Sequence, residues 1–114
     1  MTEEEQLDYA IVQHIYEEQS WKIHPVDSEY LMQFFLSFCM INEKANIEEL
    51  MIICDLNNVS FMHDKNFMSF MYNETVKYLN YCAEKDVISD ITRDNYMMWL
   101  DKMRMKFWRF FSSK

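Results

Sequence analysis

A chain without a single glycine, and with one proline at Pro25, lacks the residue that tight hairpins and phosphate-cradling loops recruit for positive φ and close backbone approach. Sandwiches, barrels, dinucleotide folds and P-loops all lean on such positions, so none is expected here. Helices joined by short polar connectors remain. Half of the residues are apolar and 17% aromatic, enough to close a core. The expected fold is all-α, a compact bundle of four or five helices formed by residues 1–114 as a single helical domain.

Five segments carry helical periodicity. Thr2 followed by Glu5 reads as a capping box, with Glu3, Glu4 and Glu5 placed well against the helix dipole. Leu7, Ala10, Ile11, His14 and Ile15 then recur as an apolar face, opposite Asp8, Glu17 and Glu18, as far as Ser20. Trp21 to Pro25 reads as a connector, because a residue before proline is driven out of the α region. A second helix is expected after Asp27 or Ser28, reaching Ile41. Its apolar residues occupy almost the whole circumference, which marks a helix surrounded by others.

A third, short helix opens at Asn46, with Glu49 completing a capping box, and ends near Leu56 before Asn57 and Asn58. The fourth runs from about Asp64 to Glu84 along Met68, Met71, Tyr72, Thr75, Leu79 and Cys82, after a turn at Ser60 to His63. The fifth, from about Thr92 to Phe111, carries Tyr96, Leu100, Met103, Phe107, Phe110 and Phe111 within about 100° of arc.

Charge is unevenly placed. Residues 1–50 hold eleven acids against Lys22 and Lys44, a net −9, whereas residues 51–114 hold eight acids and nine bases. With −8 overall, direct nucleic-acid binding is not expected. The acidic first helix and the basic last one are suited to lie together. Cys39, Cys54 and Cys82, three in number and each within an apolar helical pattern, suit a reducing, cytoplasmic location rather than a disulfide scaffold. The start is acidic rather than a signal peptide, and the most apolar run, Tyr30 to Ile41, is too short to span a membrane. Gly, Ala, Arg and Pro are scarce, while Phe, Tyr, Met, Ile, Asn and Lys abound; the bias indicates an AT-rich genome, as in a virus, phage or other mobile element.

No motif for chemistry emerges. His14, His24 and His63 stand far apart, outside metal-ligand spacings. Asp55 to Ser60 fails as an EF-hand, with Val59 at a ligand position and no turn glycine. The cysteines sit among apolar residues, where thiols pack rather than react. The chain is therefore read as a non-enzyme that needs no metal or cofactor.

Two surfaces stand out instead. On the fifth helix, Met98, Lys102, Met105 and Arg109 face away from the main stripe with Trp99 beside them, the residue types favoured at interfaces. On the first, Glu3, Glu4, Asp8, Glu17 and Glu18 form an acidic surface. The functional expectation is a small acidic protein–protein interaction module that binds and blocks or redirects a host protein. A self-assembling homodimer and a nucleic-acid-mimicking inhibitor using the acidic half are the alternatives.

Overall fold

Polar side chains start the helices, and the computed structural model, which describes residues 2–22 and 25–112, shows which ones. Helix α1 spans Glu3–Glu18, α2 Pro25–Ile41, α3 Ile47–Leu56, α4 Lys65–Glu84 and α5 Asp90–Ser112, with 3-10 turns at Ser20–Lys22 and Phe61–His63. Among the described residues there is no strand. Ile23 and His24, part of the expected connector, lie outside the described residues.

Thr2 Oγ1 accepts from the Glu5 N–H at 3.2 Å, as the capping pattern requires. Asn46 caps α3, but its Oδ1 accepts from Glu48 N–H at 2.8 Å rather than from Glu49. Asp64 caps α4 through Asn66 and Phe67 N–H (2.9 and 3.2 Å), and its second oxygen accepts from the Tyr16 hydroxyl at 2.9 Å, tying α1 to α4.

Two starts differ from the sequence reading. Helix α2 begins at Pro25, ahead of Asp27 and Ser28, because proline is suited to a first turn: its φ is preset and no N–H is needed there. Helix α5 begins at Asp90, since Ser89 Oγ accepts the Thr92 N–H at 3.1 Å and so acts as its cap, which places Thr92 in the first turn.

The helix ends show how a chain without glycine turns. Gln19, Asn58 and Asp86 each adopt φ 58°, the left-handed conformation that helix C-termini commonly give to glycine. The Gln19 N–H bonds Tyr16 O at 3.2 Å, and the left-handed turn at Gln19 redirects the chain beyond it and stops α1.

The core is built on α2, which packs against α1, α4 and α5. Leu31, Phe35, Phe38 and Cys39 of α2 meet Phe67, Met68, Met71 and Leu79 of α4 and Leu100, Met103 and Phe107 of α5, all buried. Phe38 and Phe107 stack with ring centroids 6.2 Å apart. Thr75 is buried too, its hydroxyl satisfied by Met71 O at 2.7 Å.

Helix α1 is rotated relative to the expected face. Tyr9, Val12 and Ile15 are buried and Tyr16 half-buried, whereas Leu7, Ala10, Ile11 and His14 of the expected stripe are exposed. Aromatic packing decides the rotation: Tyr9 meets Phe34 and Phe61, and Tyr16 meets Phe67, at centroid distances of 5.7, 6.3 and 4.9 Å. Gln13 completes the seat, its Oε1 accepting from Ser60 and Phe61 N–H at 2.9 and 3.1 Å while its Nε2 donates to Ser60 Oγ at 2.8 Å.

The basic side of α5 does not lie on α1 as its charge suggested. Lys102 pairs with Glu43 at 3.6 Å. Lys106 donates to the backbone carbonyls of Glu43 and Ala45, the latter at 2.7 Å, where desolvation by burial lowers its pKa. Arg104 sits 5.2 Å from the Tyr72 ring centroid. The bases thus fasten the α2–α3 connector and α4: Lys102 and Lys106 hold Glu43 and Ala45, and Arg104 lies on Tyr72.

Candidate docking site

One side of α2 is left uncovered. Between the first turns of α1 and the length of α3 runs a groove of about 400 Å³. Tyr9, Phe34 and Phe38 line it from α1 and α2, with Ser37, Ile41 and Asn42 further along α2; Leu50, Ile53, Leu56 and Asn57 of α3 face them, and Glu5, Gln6 and Asp8 stand on the α1 side. A smaller recess of about 160 Å³, bounded by Tyr30 and Gln33, shares Asp8, Phe34 and Ser37 with it.

The lining follows from the helix registers. Phe34, Phe38 and Ile41 lie four and three residues apart on α2, and Leu50, Ile53 and Leu56 three apart on α3, so each set forms one ridge. At the floor the Tyr9 ring meets Phe38 edge-on at 6.2 Å, and burial holds the Tyr9 hydroxyl well above its ordinary pKa. Toward the lip, exposure rises: Ile53 is 41% accessible, Ile41 69% and Leu56 78%. Among the described residues, the lining of the groove includes two acids and no Lys, Arg or His.

Of the acidic surface read from sequence, Glu3 and Glu4 are exposed on the first turn. Asp8 is half-buried and accepts from the Tyr30 hydroxyl at 3.1 Å, so it is partly committed to holding α1 on α2. Burial first, then the nearby Asp8 charge, pushes the Tyr30 pKa up to about 12. Glu17 accepts from Gln13 at 2.8 Å and Glu18 pairs with His14 at 3.1 Å. The five acids are thus divided between the groove side and the far end of α1.

On α5, Met98 and Met105 are about half exposed (51% and 54%) and Arg109 is exposed. Trp99 is half-buried against Tyr96 at 5.5 Å, and Lys102 is paired with Glu43. These residues share a side of α5 that is separate from the groove.

Apart from Asp8, the sequence reading missed the groove residues. The available signal was α2 itself, apolar around nearly its whole circumference yet given too few neighbours to cover it, together with Leu56 at the end of α3.

Cys39, Cys54 and Cys82 are free and buried. Burial raises the Cys39 thiol pKa, and burial followed by the Asp55 charge raises that of Cys54 to about 12, leaving both protonated at neutral pH. The Cys54 sulfur lies 3.0 Å from that of Met62. His63 Nε2 lies 2.8 Å from Asp55 Oδ1. Among the described residues no group of three or more His, Cys, Asp or Glu is placed to hold a metal ion, and no helix is long and apolar enough to cross a membrane. No family model, curated protein or solved structure matches the chain.

Proposed function

We propose that this chain is a small protein–protein interaction module that captures a partner protein in the groove between α1, α2 and α3 and so blocks or redirects it. The observation that carries the reading is the uncovered side of α2, where Phe34 and Ile41 face an open groove instead of a fourth helix. Soluble domains seldom leave a concave apolar surface with projecting aliphatic residues such as Leu56 unless something covers it. Free buried cysteines suit a reducing compartment, and the AT-rich residue usage suits a viral, phage or mobile-element source acting on a host protein.

A second reading, self-assembly as a homodimer, draws on the exposed Met98 and Met105 with Arg109 beside them. Affinity capture with three proteins separates the two. The native chain and a Met98→Ser, Met105→Ser, Arg109→Ser variant should retain one stoichiometric partner that an Ile53→Asp, Leu56→Asp variant loses. Retention by the groove variant would refute the groove reading. A native chain that sediments as a dimer and captures nothing would establish self-assembly instead.

A further inference from the structure

The reading of the groove as a docking site leaves its occupant open, and resting on that reading we infer that the occupant is a basic amphipathic helix of the partner. Shape comes first. The α2 ridge from Phe34 to Ile41 spans seven residue-to-residue steps, about 10 Å of helix at 1.5 Å per residue. An occupant helix covers the same distance from position i to i+7, so apolar residues at i, i+3 or i+4, and i+7 match the length of the groove. The floor is the side of a helix whose sequence is apolar nearly all round, the pattern of a helix enclosed by others. Ridges of α2 and α3 bounding a groove are the surface into which another helix packs.

Charge then selects among helices. Glu5 and Asp8 line one wall, Glu3 and Glu4 are exposed on the same first turn, and Glu49 is exposed one turn before Ile53 on the other wall. Lys44, two residues past Asn42, lies outside the lining. A helix flanked by lysine or arginine meets opposite charge on both sides, whereas an acidic helix meets repulsion.

A second copy of this chain fits less well. Its own α5 is basic and apolar, but each copy carries −8, which opposes association of identical chains. Lys102 and Lys106 are already engaged at the α2–α3 connector.

The experiment is selection of displayed random peptides of about 16 residues, long enough to form a helix on contact, against the full chain. Enriched peptides should show helical spacing of apolar residues and an excess of lysine and arginine. Their affinity should fall at least about thirty-fold on Ile53→Asp, as at an interface hot spot. Glu5→Gln should weaken them about two- to five-fold at low salt, and that difference should vanish as salt screens it. Enrichment of acidic, neutral or extended peptides, or of none, would overturn the inference, as would binding unchanged by Ile53→Asp. Equal binding by a peptide of residues 96–112, with self-association of the chain, would assign the groove to a second copy. If Ile53→Asp abolishes capture of the natural partner while no basic helix is enriched, the docking site stands and its basic-helix occupant falls; if capture is unaffected, both fall.

Discussion

Replacing Gln19 by glycine should make this protein more stable. Gln19 holds φ 58° and ψ 21° at the end of α1, where an L-residue bears about 1–2 kcal/mol of steric cost that glycine escapes. Glycine returns part of this, about 0.5–1 kcal/mol, through its greater freedom in the unfolded chain. The Lys22 Nζ to Gln19 Oε1 contact, 2.8 Å and exposed, is also lost but contributes little. The net gain for Gln19→Gly is therefore about 0.5–1 kcal/mol, equivalent to roughly 2–4 °C in Tm for a chain of this size. Asn58→Gly and Asp86→Gly should change stability much less, because Asn and Asp tolerate the left-handed region better than Gln. Urea titration followed by far-UV circular dichroism, with a thermal melt alongside, measures all three. A midpoint lowered by the ~1 kcal/mol that glycine costs inside a regular helix would refute the reasoning and place Gln19 within a continuing α1.

Three further outcomes are expected. Phe107→Ala removes a fully buried ring stacked on Phe38 and should cost about 3–5 kcal/mol in a denaturant titration, while Met105→Ser, half exposed on the opposite face, should stay within about 0.5 kcal/mol. Lys106→Met leaves the Glu43 and Ala45 carbonyls without their donor and should cost about 1–3 kcal/mol, with amide exchange speeding up in the α2–α3 connector when followed by mass spectrometry. Tyr30 and Cys54 both have folded pKa values raised to about 12. The unfolded chain therefore releases these protons first, and the stability they contribute, complete below the unfolded values of about 8.5 and 10, should be lost as pH rises toward 12. Denaturant midpoints taken across that range check the sign, and a midpoint that rises with alkalinity would contradict it.

The order and type of the helices could be read from sequence because local chemistry decides them. Thr2, Asn46 and Asp64 supply caps within a few residues of the amides they satisfy, and the Leu100, Met103, Phe107 stripe has only one apolar side to bury. The rotation of α1 was not legible in the same way. Leu7 and Ile11 make one credible stripe and Tyr9, Val12 and Tyr16 another, and the choice rests on Phe34, Phe61 and Phe67, which lie far along the chain. The groove was hidden for a related reason. A helix sequence can say that α2 is apolar all round, but not which of its neighbours is missing.

The Gln13 contacts tie the beginning of the chain to its middle. The opening amides of the Phe61–His63 turn find their acceptor on a helix 47 and 48 residues earlier, and Tyr16 reaches Asp64 across a similar interval. During synthesis α1 precedes α2 to α5, yet nothing is present for Gln13 and Tyr16 to hold until Ser60, Phe61 and Asp64 have followed. Seating of this helix consequently waits for the residues just before α4. Until it is seated, the groove has only one of its two walls.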